Sequence, residues 1–558
     1  MPDTVTALPA ETADGNARRS ALADAPPPAG SEHVTYRSRG RLLLIGPDDA
    51  VHDALARVPG ALDVHVLLTT GAGDRPGHPD FGGLGARVRR ARPLSIDGHL
   101  GAFRVAVADG DGEADLATVL ELEPDSAFDL VLDLAEPPLL RRALDPPGYF
   151  RPRDRAAIAD ALADAAELVG EFDKPRYFEY EPDICVHGSR GQRGCNRCLD
   201  ACATEAIRSL GDRIEVDPYL CQGCGSCATT CPTGAIAYAW PRAERLLEHV
   251  RGLLGRYREA GGSNPLVLFH DGESGAATLA GWAPELPESV LPVAVEDAGS
   301  IGLDSWLTTL AYGAGRVVTL LPDAMPAVER DTTLEQVAIG NALLRGLDLP
   351  DGRISTVAPG GRLDAIADSP SPLVTEPARF AALGNKREVM HKALRHLHAA
   401  VGAPATVAPL PEGAPWGDVI VDGEACTLCM ACVSVCPTRA LLGGGEQPTL
   451  SFREDRCVQC GLCERTCPED AITRTARIDF AALAEPAGRL LNEEEPHHCP
   501  QCGKAFSTRK LIARMQQRLS THWMFNDPDA RRRLELCEDC RIAAVMSDEG
   551  SIDPYRGE

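Results

Sequence analysis

The chain has 558 residues and a mass of 59.4 kDa, which predicts several domains on the usual scale of roughly 100 to 200 residues each. Its 81 acidic and 56 basic residues give a formal net charge of −25, which repels nucleic-acid phosphates and anionic membrane surfaces. The sequence lacks an apolar run of the roughly 18 residues that a membrane helix needs, and its start does not resemble an export signal. We therefore expect a cytoplasmic protein with no nucleic-acid partner and no direct membrane insertion.

The twenty cysteines fall into three tight groups, which are separated by long cysteine-free stretches. Thiols only two residues apart do not easily form disulfides of correct geometry, and a chain without an export signal is expected to stay in a reducing compartment. The grouping therefore favours metal ligation over disulfide formation. The groups span 185–231, 426–467 and 499–540.

The first part of the chain divides into an irregular lead and a small layered domain. Residues 1–38 are rich in Ala, Pro, Asp and Ser without periodicity, and we expect a disordered lead. From Arg41 onward, RLLLIG, DDAVHDALARV, LDVHVLLTT and FDLVLDL alternate as strand, helix, strand and strand. This pattern predicts a parallel-sheet α/β domain over 39–150. A helix is predicted at 155–172.

The remaining chain alternates cysteine modules with a second layered domain. After the first cysteine module at 175–241, RAERLLEHVRGLLGRYREAG predicts a helix, and LVLFH, VLPVAVE and RVVTLL predict strands. Two more helices are predicted near 332–347 and 379–401, which completes an α/β domain over 242–402. A loop near 403–417 leads to the second cysteine module at 418–475. The last group lies in a module at 490–545, the four-cysteine module.

The second cysteine module contains the run C-x2-C-x2-C-x3-C-P twice, and this resembles the bacterial ferredoxins with two 4Fe-4S clusters. In that family, the fourth cysteine of each run ligates the cluster of the other run. Gaps of two residues let one tight turn point three thiolates at one cube, and the longer step sends the fourth thiolate to the neighbouring cube. One cluster is therefore predicted on Cys426, Cys429, Cys432 and Cys467, and the other on Cys436, Cys457, Cys460 and Cys463.

The first cysteine module has one complete run and one altered run. Nine residues, VHGSRGQRG, separate Cys185 from Cys195, and Ala203 replaces the proline that ends the usual run. Either this loop bulges outward while Cys185 still ligates, or one cluster keeps three cysteine ligands. The loop is basic, and it is either a docking surface or a solvated loop. The same exchange predicts one cluster on Cys185, Cys195, Cys198 and Cys231 and another on Cys202, Cys221, Cys224 and Cys227.

The four-cysteine module carries a CxxC…CxxC pattern that is a strong metal signal. Four thiolates favour tetrahedral zinc, and a rubredoxin-like mononuclear iron is the alternative. The neighbouring His497 and His498 are either substitute ligands or exposed loop residues. Between the two pairs, RKLIARMQQRLSTHW predicts a basic helix, which is either a docking element or a solvated one. The predicted ligands are Cys499, Cys502, Cys537 and Cys540.

The sequence shows no catalytic constellation. The glycine-rich stretch 71–85 lacks the G-x-G-x-x-G spacing of a nucleotide site and is interpreted as a loop. His391, His396 and His398 are predicted to lie on a helix surface. With no P-loop and no Ser, His, Asp arrangement, we predict a non-catalytic subunit or carrier of an oxidoreductase system.

The larger layout resembles the long bacterial 4Fe-4S proteins that accompany formate dehydrogenases. GEFDKPRYFEYEPDIC, VDPYLCQGCGSCATTCPTGAI and VEDAGSIGLDSWLTTLAYGAGRVV carry this likeness. The last stretch, with LVLFHDGESGAATLAGW before it, is also similar to the small iron-sulfur subunit of hydrogenase and heterodisulfide reductase complexes. That subunit has cysteines for a further cluster in this domain, whereas this chain has none between Cys231 and Cys426. Together, the strand and helix patterns, the ferredoxin-like runs and the CxxC pairs predict an α/β multidomain fold with two bacterial-ferredoxin-like (α+β) dicluster modules, two small parallel-sheet domains and a C-terminal zinc-binding module.

Three functional hypotheses follow from these patterns. The first is an electron conduit with four 4Fe-4S clusters and one zinc, which serves a partner oxidoreductase such as a formate dehydrogenase. The second is an assembly or maturation factor for a metalloenzyme with redox-active clusters. The third is a catalytic subunit with flavin in an α/β domain, which flavin absorbance of the purified protein would reveal.

Overall fold

The computed structural model describes most of the chain. The glycine-rich stretch 71–85 lies outside the described residues, as does most of the lead before residue 32. In the described part, every helix is too short or too polar to cross a lipid bilayer. The described residues are 8, 10–23, 32–69, 86–110, 112–123, 126–361, 366, 370–402, 407–445, 447–484, 486–525 and 527–547.

The N-terminal α/β domain is built on a five-stranded parallel sheet. Its central strand, RLLLIG, has five buried residues out of six, as expected for a parallel strand that is covered on both faces. The strands lie in the spatial order Arg87–Arg90, Asp63–Leu68, Arg41–Gly46, Leu130–Asp133 and Tyr149–Phe150. Beside them lie an antiparallel sheet of Pro93–Asp97, Arg104–Asp109 and Gly112–Asp115 and the helices Asp48–Leu55, Leu116–Val119 and Ala157–Glu167.

Two described segments before residue 39 are ordered, so the prediction of a disordered lead is wrong for them. Helix Ala13–Ala23 packs on the long helix Ala243–Glu259 with Ala17 and Ala21 fully buried, and strand His33–Ser38 pairs with Gly170–Pro175. The Glu288 carboxylate accepts hydrogen bonds from the backbone N–H groups before the helix. An alanine-rich helix held by a distant domain carries too little apolar periodicity to be recognised from sequence.

The middle α/β domain holds a four-stranded parallel sheet. Its last helix begins at Lys386, seven residues later than predicted, because the Asn385 side chain caps the helix by accepting from the Glu388 N–H at 3.0 Å. The strands lie in the order Val290–Val295, Leu266–Asp271, Arg316–Leu320 and Ile354–Val357. The helices are Ala243–Glu259, Ser274–Trp282, Leu303–Ala311, Ala327–Gly346 and Lys386–Val401.

The two cysteine modules share one plan of short strand pairs and short helices. In each module, a 3-10 helix, Pro182–Ile184 or Glu454–Arg456, ends directly before a cysteine. The first module pairs Phe178–Tyr180 with Ile236–Tyr238, Gly188–Ser189 with Gln192–Arg193 and Ile207–Ser209 with Ile214–Val216, and has helices Arg197–Asp200 and Ser226–Thr230. The second has sheets of Val407–Pro409, Ile472–Asp479 and Gly417–Val421 and of Leu441–Gly443, Thr449–Phe452 and Arg489–Glu493, with helices Ala431–Val435, Leu462–Thr466 and Phe480–Ala484.

The four-cysteine module packs beside the second cysteine module. Thr508 caps its main helix by accepting from the Leu511 N–H, and the same hydroxyl donates to the Thr427 carbonyl oxygen at 3.0 Å. The four-cysteine module therefore contacts the loop between Cys426 and Cys429 of the second cysteine module. Its elements are the hairpin Pro496–His498 with Ala505–Thr508, the helices Arg509–Leu519, Pro528–Arg532 and Glu538–Ser547 and the 3-10 turns Trp523–Phe525 and Arg533–Glu535.

Candidate metal-cluster sites

The second cysteine module encloses two cavities, and four of the predicted cysteines line each one. In both cases three cysteines come from one run and the fourth from the other run, as the exchange rule predicts. One cavity is lined by Cys426, Cys429, Cys432 and Cys467, and the other by Cys436, Cys457, Cys460 and Cys463.

Polar N–H groups point at several of these sulfur atoms. The backbone N–H of Ala440 donates to Cys436 Sγ at 3.3 Å, and Ala471 donates to Cys467 Sγ at the same distance. The Gln459 amide donates to Cys457 Sγ at 3.4 Å. Such donors stabilise negative charge on sulfur, so they favour thiolate ligands and the reduced state of a bound cluster.

The altered run of the first module closes into a hairpin that keeps Cys185 beside the other cysteines. The Cys195 N–H donates to the Val186 carbonyl oxygen at 2.9 Å, and His187 Nδ1 donates back to the Cys195 carbonyl oxygen at 2.8 Å. The additional residues form the turn of strands Gly188–Ser189 and Gln192–Arg193. One cavity is lined by Cys185, Cys195, Cys198 and Cys231.

The remaining four cysteines of the first module lie where it packs on the middle α/β domain. Burial first, and then the neighbouring Cys221 and Cys202, hold the pKa of Cys227 well above its ordinary value. Gly225 before this cysteine has φ of +79°, and a Cβ atom there would lie 2.4 Å from Ser300 Cα of the middle domain. The close approach therefore requires glycine. The set comprises Cys202, Cys221, Cys224 and Cys227.

The chemistry of these sulfur atoms fits an iron-sulfur cluster. Burial is the first cause that raises the pKa of Cys198, Cys463 and Cys432, the last to about 12, and neighbouring cysteines add to each shift. Buried thiols crowded in this way become thiolates only when a cation compensates their charge. Ferric and ferrous iron in a sulfide-bridged cube provides that compensation.

Half-buried polar groups from two other parts of the chain reach the fourth cysteine set. Lys174 Nζ donates to the Cys221 carbonyl oxygen at 2.7 Å and to the Tyr36 hydroxyl at 2.6 Å. Burial lowers the pKa of Lys174 to about 8. His99 of the N-terminal domain stacks on Tyr219 at 4.5 Å between ring centroids. The N-terminal domain therefore covers one side of this set.

The two cysteine modules touch each other, although about 200 residues separate them in sequence. Arg465 Nη2 donates to the Arg193 carbonyl oxygen at 2.5 Å and to that of Gly194 at 3.3 Å. Cys460 lies close enough to Cys195 to raise its pKa, after burial as the main cause. The same Arg465 nitrogen also donates to the Cys460 carbonyl oxygen at 3.1 Å, so the contact lies beside Cys195 of one cysteine set and Cys460 of another.

The four-cysteine module brings its predicted ligands together, because the four sulfur atoms lie within 4.8 Å of one another. The two neighbouring histidines bond elsewhere. His497 Nε2 contacts the Glu535 carbonyl oxygen at 3.1 Å, and His498 Nδ1 contacts the Gly503 carbonyl oxygen at 3.0 Å. The four cysteines Cys499, Cys502, Cys537 and Cys540 are thus close enough together to hold one metal ion.

The residues that contact both cysteine modules were not predicted from the sequence. Lys386 and Arg387 were not identified, because two cations at a helix start are typical of a solvated face. The prediction that His391 lies on the surface is wrong. Its ring is buried and accepts a hydrogen bond from Trp416 Nε1 at 3.2 Å, because the chain before the second module covers this side of the helix. His398 instead stacks on Phe480.

Comparison with known proteins supports the metal chemistry of both cysteine modules. Residues 193–235 and 425–471 each match the 4Fe-4S dicluster domain, and the first match begins after Cys185. These segments make up about a sixth of the chain.

Individual relatives match over similarly short stretches. A segment is 43% identical over 51 residues to Ferredoxin-1 of Caulobacter vibrioides, which is 9% of this chain and 43% of that protein. Two further matches are 36% identical over 61 residues, 11% of this chain, to Hydrogenase-4 component A of Escherichia coli (27% of its length) and to pyruvate synthase subunit PorD of Thermotoga maritima (61%). The chain thus spans less than two thirds of each of these relatives. The chain contains two 4Fe-4S dicluster domains, which supports its assignment as an iron-sulfur protein.

Proposed function

We propose that the chain is a cytoplasmic electron conduit in which four 4Fe-4S clusters form one continuous relay. The observation that carries the proposal is the contact between the two cysteine modules, where one nitrogen of Arg465 bonds both to the loop before Cys195 and to the Cys460 carbonyl oxygen. Electrons can pass directly from one module to the other only when the two modules lie close together, and this contact brings them together.

The relay has two outer and two inner clusters. From one end to the other, the ligand sets are Cys202, Cys221, Cys224 and Cys227, then Cys185, Cys195, Cys198 and Cys231, then Cys436, Cys457, Cys460 and Cys463, and finally Cys426, Cys429, Cys432 and Cys467. Each cluster, when bound, accepts and releases a single electron. The protein holds the thiolates, excludes water and sets the spacing.

The two ends of the relay differ in their surroundings. The first outer set is covered by the N-terminal and middle domains, whereas Cys429 of the last set is exposed and the four-cysteine module lies beside it. We propose that the exposed end meets a partner oxidoreductase and that the four-cysteine module holds a structural zinc. The sequence likeness makes a formate dehydrogenase the first partner to test. Hydrogenase-4 component A and PorD are named as parts of larger enzymes, which supports a subunit role.

The test is anaerobic purification followed by iron, sulfide and zinc analysis and EPR of the stepwise reduced protein. About sixteen irons per chain are expected from four cubes. Reduced inner clusters should show spin coupling across the two modules, and Cys195→Ser should remove that coupling while the second module keeps its own pair. Fully loaded protein whose two modules give independent spectra would reject the relay.

A further inference from the structure

Two consecutive residues of the middle α/β domain insert their side chains between the cysteine modules. Lys386 Nζ donates to the carbonyl oxygens of Ala228, at 2.8 Å, and Thr229 of the first module, between the cluster ligands Cys227 and Cys231. Arg387 turns the other way and donates to the Cys457 carbonyl oxygen of the second module at 2.6 Å. The first two residues of this helix therefore contact the backbone beside predicted cluster ligands in both modules.

The Arg387 guanidinium is held entirely by neutral acceptors. Besides Cys457, it donates to the Asp455 carbonyl oxygen at 3.1 Å and to the Pro415 carbonyl oxygen at 2.7 Å. It is 9% exposed. The carboxylate of Asp455 instead forms two 2.9 Å bonds to Arg453. The positive charge of Arg387 is therefore only partly compensated by its surroundings.

Arg197 adds a third cation at the same place. It stands between the ligands Cys195 and Cys198, and its charge contributes to lowering the pKa of both Lys386 and Arg387, after burial as the main cause. The pKa of Arg387 is lowered to about 10, so it still carries its charge at pH 7. Arg387 and Arg197 thus lie at the inner sites, and Lys386 lies between an inner and an outer set, where its charge interacts with Asp304 and more strongly with Cys231 of the inner set than with Cys227 of the outer set.

The outer sites have a different balance of charge. Near Cys224, the carboxyl groups of Glu329 and Asp297 add to the high pKa of the thiol, behind burial as the main cause. Lys174 lies on the other side of that site. Near the Cys467 end, Glu469 is paired with Arg514 and Arg518. Lys174 is also bound by neutral oxygen atoms, those of Tyr36, Tyr219 and Cys221, but it is a single cation, whereas Arg387, Lys386 and Arg197 lie together near the inner sites.

We propose that Lys386 and Arg387, together with Arg197, raise the reduction potentials of the two inner clusters above those of the outer clusters. Reduction adds one electron to a cluster, and a fixed positive charge in a medium of low dielectric stabilises that added charge. Electrons supplied one at a time by a low-potential donor at either end therefore collect at the junction, where the inner pair holds two. This inference rests on the proposed relay.

The test is a potentiometric EPR titration, with dithionite as the electron donor. Cys429→Ser and Cys224→Ser, each in an outer ligand set, identify which signals belong to the outer clusters. In the wild-type protein, the first two electrons are expected on the inner clusters. Outer clusters that are reduced first would overturn the inference.

Variants that remove one positive charge test whether these cations determine the order in which the clusters are reduced. Arg387→Met should lower the reduction equilibrium constant of the Cys457 cluster at least tenfold, which is 59 mV for one electron, and Lys386→Met should act in the same way on the Cys231 cluster. Arg387→Lys, which keeps the charge, should restore most of the potential. The control is Arg395→Met, which removes an exposed cation two turns further along the same helix and should shift neither cluster.

The outcomes separate this inference from the relay itself. An Arg387→Met protein with full iron and an unchanged Cys457 cluster overturns the inference and leaves the relay intact. If that variant fails to load iron, Lys386→Met decides: an unchanged Cys231 cluster overturns the inference. Wild-type protein without coupling between the modules rejects the relay instead, whatever the potentials of its clusters.

Discussion

Arg465 and Gly194 lie in different cysteine modules, and the Arg465 guanidinium binds the Gly194 carbonyl oxygen directly. A Cβ atom at Gly194 would lie 2.4 Å from the Val186 carbonyl oxygen and 3.2 Å from a methyl group of Leu462. The absence of a side chain at this position therefore lets the Cys195 loop rest on the helix that carries Cys463. The two modules are therefore in close contact at Gly194.

Arg465→Ala should loosen this contact without emptying any cluster. A hydrogen bond from a charged group contributes about 1.5 to 3 kcal/mol, and Arg465 makes its inter-module bonds from a single guanidinium nitrogen. We expect weaker spin coupling between the inner clusters and slower electron transfer between modules, measured by EPR and by rapid-mixing reduction.

The matched control for Arg465 is Arg208→Ala. Arg208 is an exposed arginine of the first module, which pairs with Glu215 of the same module. Removing it deletes the same charge but no inter-module bond, so coupling should stay at the wild-type value. Equal losses of coupling in the two variants would contradict a specific role of Arg465.

Cys185→Ser tests the altered cysteine run. Because the hairpin holds Cys185 at the cavity of Cys195, Cys198 and Cys231, we expect one cluster to lose its fourth thiolate. The iron content should fall by between one and about four atoms per chain, and the EPR signal of one inner cluster should change or vanish. Unchanged iron and unchanged spectra would show that the first module uses another fourth ligand. Ser189→Ala in the same hairpin is the control.

The sequence predicted what depends on local spacing. The cysteine runs group the same four residues that line each of three cavities, because two-residue gaps and the exchange of the fourth cysteine are properties of the run itself; which of them ligate a cluster stays a prediction. The buried strands RLLLIG and LVLFH were found because a parallel strand covered on both faces is apolar throughout.

What depends on contacts between distant segments was not predicted. Helix Ala13–Ala23 is held by a domain more than 200 residues away, and His391 is buried only because Trp416 covers it. The contacts of Lys386 and Arg387 depend on how the two cysteine modules pack around the helix. Two consecutive cations in a sequence do not indicate such packing. Tertiary contacts of this kind override the local pattern.

Cys540→Ser tests the four-cysteine module. With one of four thiolates replaced, the site should bind its metal more weakly, and zinc analysis of the purified variant should show the loss. Because a structural metal contributes directly to folding, residues 496–547 should become sensitive to proteolysis. The EPR signals of the four clusters should remain. Iron in place of zinc in the wild-type protein would select the rubredoxin-like alternative.

His391 gives the protein a specific sensitivity to acid. Burial first, and then the charges of Arg387 and Arg395, lower the pKa of His391 to about 2 in the folded state. In the unfolded chain a histidine has a pKa of about 6.5, so below that pH the unfolded state binds a proton that the folded state does not. The stabilisation by the neutral ring is therefore fully present above pH 6.5. It is lost progressively as the pH falls toward 2.

Replacing His391 by Gln isolates this effect. The Gln amide oxygen can still accept from Trp416 Nε1, but it does not titrate. Between pH 7.5 and pH 5.5 the wild-type protein should lose about 1 kcal/mol of stability relative to His391→Gln. Anaerobic thermal melts at the two pH values measure this as a difference between midpoints, with His396→Gln on the same helix as the control. If the difference between the melting midpoints of wild type and His391→Gln is the same at both pH values, the His391 ring already takes up a proton in the folded protein. The buried hydrogen bond from Trp416 to His391 would then be wrong.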